Sequence, residues 1–174
     1  MSDTFITIIA IFLAAILMFI FPLMTLADTN DDITQLTVQT ATSEFVDEIR
    51  KTGKLTEDKY NSFVSSIAAT GNAYDIELQF QILDENPAKK TSQTGNATVI
   101  GENIYYSVYT TQIEDRLAED GEYILKEGDL VSVNVKNRGM TLALTLRNIY
   151  YKVSGNDTYT IYASAAGTVT VNGK

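Results

Sequence analysis

The sequence predicts an α+β protein: a long N-terminal α-helix, transmembrane over its first part, followed by a small, mainly antiparallel β-sheet head with covering helices. Three observations lead there. Residues 5–27 form a run in which only Thr7, Pro22 and Thr25 fall outside the hydrophobic set. Beyond this run apolar residues recur at three- and four-residue spacing as far as Ile49. From Tyr74 onward, three segments alternate apolar and polar side chains with the period of two that a half-buried strand requires.

As a helix the apolar run is roughly 35 Å long, which exceeds the ~30 Å hydrocarbon core of a bilayer. Its Ile, Phe and Leu residues total about −4 to −8 kcal/mol on the insertion scale, and Asp3 at its edge does not offset that. A helix apolar all round needs lipid or a large core, and a chain of 174 residues has no core large enough to enclose it. Thr25 and Ala27 also make a tolerable signal-peptidase site before Asp28. That reading suffers from the lack of Lys or Arg before Phe5 and from a run longer than an ordinary signal core. Pro22 is placed to kink the helix near its outer end. With no Lys or Arg in the first 49 residues the positive-inside rule has little to act on, and because Asp28, Asp31 and Asp32 precede the first cation, Arg50, an extracytoplasmic head is expected.

Ile33, Leu36, Val38, Ala41, Phe45, Val46 and Ile49 form the apolar stripe of an amphipathic continuation, and Gly53 follows Arg50 and Lys51 as a C-terminal signal. One long helix over residues 4–51 is expected, with a break allowed at 29–32. Thr56 then reads as an N-cap before Glu57 and Asp58, opening a second helix with Tyr60, Phe63, Val64 and Ile67 on one face and Gly71 beyond its end. The short connection makes the two helices a hairpin.

Tyr74, Ile76, Leu78, Phe80 and Ile82 alternate with polar residues as a strand, and residues 84–97 read as an exposed loop. Tyr105, Tyr109, Ile113 and Leu117, four residues apart, predict a short helix over 105–117 after a strand at 98–104. Glu127-Gly128-Asp129 is a turn that launches a strand over 130–136, with Val131, Val133 and Val135 on one face. Residues 140–151 are assigned to a helix, and residues 158–171 to a long closing strand with Gly167 as its bend or bulge. The organisation is thus 1–27 as membrane or assembly helix, 28–72 as amphipathic stalk or hairpin, and 73–174 as head.

Composition restricts the chemistry. With no Cys and no His, disulfides, Cys/His zinc sites and imidazole-assisted nucleophiles are excluded. A net charge of −9 argues against nucleic acid as a partner. Asp28, Asn30 and Asp32 imitate the start of a calcium loop, but Ile33 and Gln39 occupy the positions that need Gly and Glu. Glu114-Asp115 and Glu119-Asp120 read as solvated helix acids. Asn96-Ala97-Thr98 and Asn156-Asp157-Thr158 are glycosylation acceptors only in a host that glycosylates secreted chains. No catalytic residue, cofactor or metal site is expected, and the chain is not read as an enzyme.

This layout resembles the type IV pilin-like subunits, most closely those of tight-adherence (Tad-type) and related Gram-positive secretion systems. The likeness is carried by the 5–27 helix, the Ala41-Thr42-Ser43-Glu44-Phe45-Val46 stretch as far as Gly53, and Glu127-Gly128-Asp129-Leu130-Val131-Ser132-Val133. The resemblance implies a single-pass membrane subunit whose head lies outside. Dedicated pilus or secretion machinery would draw it into a filament or pseudopilus cored by bundled N-terminal helices, at the cell surface once assembled. Its partners would then be membrane lipid, further copies or related pilin-like subunits, and that machinery. The expected membrane and assembly residues are Asp3, Phe5, Ile9, Ala10, Phe12, Ala14, Ala15, Phe19 and Pro22, the alanines permitting close helix approach. The run lacks the internal acidic residue with which many pilins meet a neighbour's terminal amine, leaving Asp3 as its counterpart. A basic leader is also missing, so either processing has removed it or this is a minor, unprocessed subunit. The alternatives are a single-pass anchored binding or accessory protein that does not polymerise, and a secreted binding domain beginning at Asp28.

Overall fold

A computed structural model describes residues 2–83, 105–143, 145–146 and 161–174. Its first element, α1, is an α-helix over Ser2–Thr52, which runs through Pro22 and through residues 29–32 without interruption. At 51 residues it is about 76 Å long. It stops where Gly53 turns left-handed at φ 67°, its amide still donating to Ile49 O at 2.8 Å. A Cβ at Gly53 would collide with Val171 O and Gly173 N, so the residue is needed both for its turn and for that close approach.

Strand β1, Lys54–Thr56, leads directly into helix α2, Glu57–Ala68. Thr56 is the expected N-cap: its backbone is extended and its hydroxyl accepts from Lys59 N at 3.4 Å. The expected hairpin forms through the stacked rings of Phe45 and Phe63, with centroids 4.2 Å apart. Lys59 Nζ adds an ion pair to Glu48 at 2.9 Å.

The main sheet has the order β3-β2-β5-β6, with every neighbouring pair antiparallel. Its strands are β2 (Tyr74–Leu83), β3 (Tyr105–Tyr109), β5 (Leu130–Asn137) and β6 (Tyr162–Thr168). Helix α3, Thr110–Asp120, and strand β4, Glu122–Ile124, lie between β3 and β5, and β4 pairs with β1 as a two-stranded sheet. Register places Phe80, Val131 and Gly167 in one row, Leu78, Val133 and Ala165 in the next, and Ile76, Val135 and Ala163 in a third. Each row tapers from a large side chain on β2 to a small one on β6. The second half of α1 packs over the small end, chiefly on β6 and then β5. Helix α3 lies toward the large end, where Ile113 and Leu117 are buried with Phe80 and Tyr123.

Three expectations change. Residues 105–109 are a strand paired with β2, and the helix begins only at Thr110. The four-residue Tyr spacing belongs partly to a strand, in which Tyr105 and Tyr109 also share parity. Gly167 is neither bend nor bulge: it pairs in regular register with Val131, and the Arg50 guanidinium lies where its Cβ would be. The closing strand is shorter than expected, ending at Thr168, after which the chain leaves the sheet to cap α1. Leu142, Ala143, Thr145 and Leu146 are helical as expected. The 84–97 loop, the 98–104 strand, Leu144 and residues 147–160 lie outside the described residues.

Three side-chain groups lock the head. Asp129 is buried and accepts from Leu83 N at 2.9 Å and Lys126 N at 2.7 Å, fastening the end of β2 to the turn before β5. Arg50 O accepts both the amide and the hydroxyl of Thr170, at 3.0 and 3.1 Å, satisfying an orphan carbonyl of α1. The Gln35 amide group bonds to both backbone groups of Tyr162, donating to its O at 2.6 Å and accepting from its N at 3.0 Å. With Arg50 Nε donating to Thr168 O at 3.0 Å, α1 covers both ends of the open β6 edge. Fifteen helical residues span about 22 Å and six strand residues about 20 Å, so the two elements run side by side in step.

Candidate functional site

The candidate site is the surface of α1 itself. Every expected residue whose side chain is described, Asp3, Phe5, Ile9, Ala10, Phe12, Ala14, Ala15, Phe19 and Pro22, lies on the first half of this helix and is exposed. No other part of the described chain packs against this stretch: the most apolar 18-residue window of the helix is wholly unburied. Leu23 and Leu26, at its upper end, line a cleft under the head.

The two hydroxyls within the run are internally satisfied or nearly so. Thr7 Oγ1 donates to Asp3 O at 2.8 Å and Thr25 Oγ1 to Phe21 O at 3.1 Å, back-bonding of the kind that lets threonine sit in an apolar medium. Pro22 removes one amide donor, a loss a lone soluble helix tolerates poorly and a helix packed among neighbours tolerates well.

From Ala27 onward the helix divides into two faces, and they are not the faces its hydrophobicity suggests. The inward face carries Ala27, Asp31, Thr34, Val38, Thr42, Phe45 and Ile49, all buried. Ile33 and Leu36, expected on the packed stripe, are 61% and 68% exposed on the opposite side. Asp31 and Thr34, by contrast, are each only 4% exposed. Asp31 is held by Thr141, whose hydroxyl donates to Oδ2 at 2.6 Å. The Thr42 hydroxyl turns back onto Val38 O at 2.7 Å. Reading the stretch by hydropathy missed this pair, because both residues are polar.

A second surface feature is a groove between α1 and α2, about 370 Å³ in volume, with Phe45 and Phe63 among its lining and Glu44, Glu48 and Asp58 around it. Lys59 already pairs with Glu48 there. Asp28, Asn30 and Asp32 all sit on continuous helix, and among the described residues no group of three or more acidic side chains is disposed to hold a metal ion. Glu114 accepts from the Tyr60 hydroxyl at 2.6 Å, and Asp120 pairs with Arg116 at 3.5 Å, so these acids serve packing contacts. Burial, then the Glu114 hydrogen bond and charge, push the Tyr60 phenol far above its usual range.

No family model matches the chain, and no curated protein or solved structure shows significant similarity to it.

Proposed function

We propose that the chain is a structural subunit of a type IV pilus-like, Tad-type filament or pseudopilus, held in the membrane by the first half of α1 with its head outside. The observation that carries this reading is the exposure of Ile33 and Leu36 on the side of α1 away from the head, beyond the end of the apolar run. A 30 Å hydrocarbon layer beginning at Phe5 is filled after about 20 helical residues, so Ile33 and Leu36 stand roughly 13–18 Å above it. A simple anchor does not require apolar residues at that height. A helix that exchanges lipid for the helices of neighbouring copies does, because its packed length is then the whole exposed face.

The test separates assembly from anchoring. Replacing Ile33 and Leu36 together with Glu leaves the membrane segment intact. Material sheared from cells is expected to lose the protein, while the membrane fraction keeps it at its normal level. Filaments in normal amount would refute Ile33 and Leu36 as an assembly surface. Wild-type sheared material that lacks the chain altogether would favour the anchored, non-polymerising protein, in which an unrelated membrane helix should substitute without loss.

A further inference from the structure

We propose that the underside of the head, formed by residues 140–142 beside the Leu23–Leu26 level of α1, is a foot that seats in the lipid interface. The proposal rests on the reading that α1 spans a bilayer, and deepens it by fixing how the head stands on the membrane.

Residues 140–142 reverse the order expected of a soluble loop. Thr141 is buried, while its neighbours Met140 and Leu142 are 64% and 60% exposed. The reversal has a cause, since the Thr141 hydroxyl is drawn inward to Asp31. That bond pins the segment to α1 one turn beyond the end of the apolar run. Leu142 thereby joins Leu23 and Leu26 in lining a cleft of about 450 Å³, whose other lining includes Asn30, Asp31 and Thr141. Along α1 the lining passes from leucines to amide and carboxylate groups within two turns. This is the order in which a bilayer passes from hydrocarbon to headgroup. Twenty helical residues from Phe5 reach about Met24, which sets the leucines at the hydrocarbon edge and the polar groups just above it.

The occupant is therefore the bilayer surface, and the argument for it is continuity: exposed Leu142 borders the apolar surface of the span at Leu23 and Leu26. Exposed Ile124 does not share this level. Ile124 pairs with Lys54 in the small sheet, beyond the far end of α1.

The chain contains no Cys, so single-cysteine labels report unambiguous positions. Full-length Phe12→Cys, Leu142→Cys and Ile124→Cys variants, carrying an environment-sensitive fluorophore, are reconstituted in phosphatidylcholine/phosphatidylglycerol vesicles. They are then quenched with either lipid-borne nitroxide or aqueous iodide. Labels at 12 and 142 are expected to lose most of their emission to the nitroxide and little to iodide, with the reverse at 124. A label at 142 that behaves like 124 while 12 stays in lipid overturns the foot and leaves the anchor standing. If 12 also behaves like 124, the membrane reading fails and the foot with it. In a second arm, Leu142→Asp combined with a label at Met140→Cys is expected to raise iodide quenching severalfold over the label alone. Unchanged quenching refutes the role of Leu142.

Discussion

Residues 5–26 of α1 carry no charge and lie almost entirely exposed, whereas the stretch after them carries charges of both signs and buries Val38, Val46 and Ile49. The same continuous helix thus has a hydrophobic half without a partner and a mixed half that forms one wall of the head. Hydrophobicity tells which half wants to leave water, and only packing tells which half has done so within this chain. The second half succeeds with little hydrophobic surface because β6 presents Ala163, Ala165 and Gly167 to it, so the helix comes close and gains contact from the backbone itself. The first half is left with an apolar surface whose satisfaction lies outside the monomer.

Several changes would break or sharpen this contrast. The largest is Ala14→Lys, which places a charge at the middle of the apolar half at a cost of about 3 kcal/mol on the insertion scale. It is expected to remove the protein from sheared filaments, as shearing and mass spectrometry would show. Next, Ile49→Ala, in the buried half, should cost about 2–5 kcal/mol of head stability, while Phe12→Ala should stay within about 0.5 kcal/mol. Denaturant unfolding in detergent compares them, and equal losses would erase the distinction between the halves.

Gly167→Ala sets a methyl group against Arg50 and should cost about 1–3 kcal/mol as the guanidinium is pushed off Thr168 O and Asp47. The same change at exposed Gly139 meets nothing and should leave the transition unmoved. A double-mutant cycle on Phe45 and Phe63 should return a coupling of about 0.5–1.5 kcal/mol. The smallest effect is alkaline. The Tyr60 phenol is raised in the fold by burial and by Glu114, so its contribution is intact below its ordinary value of 10.0 and is lost as pH rises beyond it. There the unfolded chain releases a proton that the folded chain retains. Tyr60→Phe should flatten the fall in melting temperature above that pH.

Much of this architecture was legible in residue order, and the exceptions have physical causes. The apolar run, the unbroken helix to Gly53, the Thr56 cap and the alternation in β2 and β5 are local signals, each written in consecutive residues. Strands β1 and β4 have three residues each, too few for any periodicity to register. The residues 105–109 fit both periods, and only pairing with β2 decides between them. The inward placing of Asp31 and Thr34 depends on Thr141 and on β6, more than a hundred positions away, which no window along the helix contains. The same holds for the candidate site. Its apolar run was visible as composition, but Ile33 and Leu36 are recognised as exposed only once the sheet has taken the other side.

The pairing of α1 with β6 also sets a timetable. Gln35 waits for Tyr162, 127 positions later, and Arg50 for Thr170, 120 positions later. At about 5–20 residues per second of synthesis, that interval is on the order of ten seconds. The apolar half of α1, long and apolar enough to span a membrane, needs nothing further along the chain. The second half of α1 does, and the inner face carrying Val38 and Ile49 is complete only once β6 has arrived. A chain stalled before residue 162 would therefore hold α2 and β5 against this helix while lacking its main partner, β6.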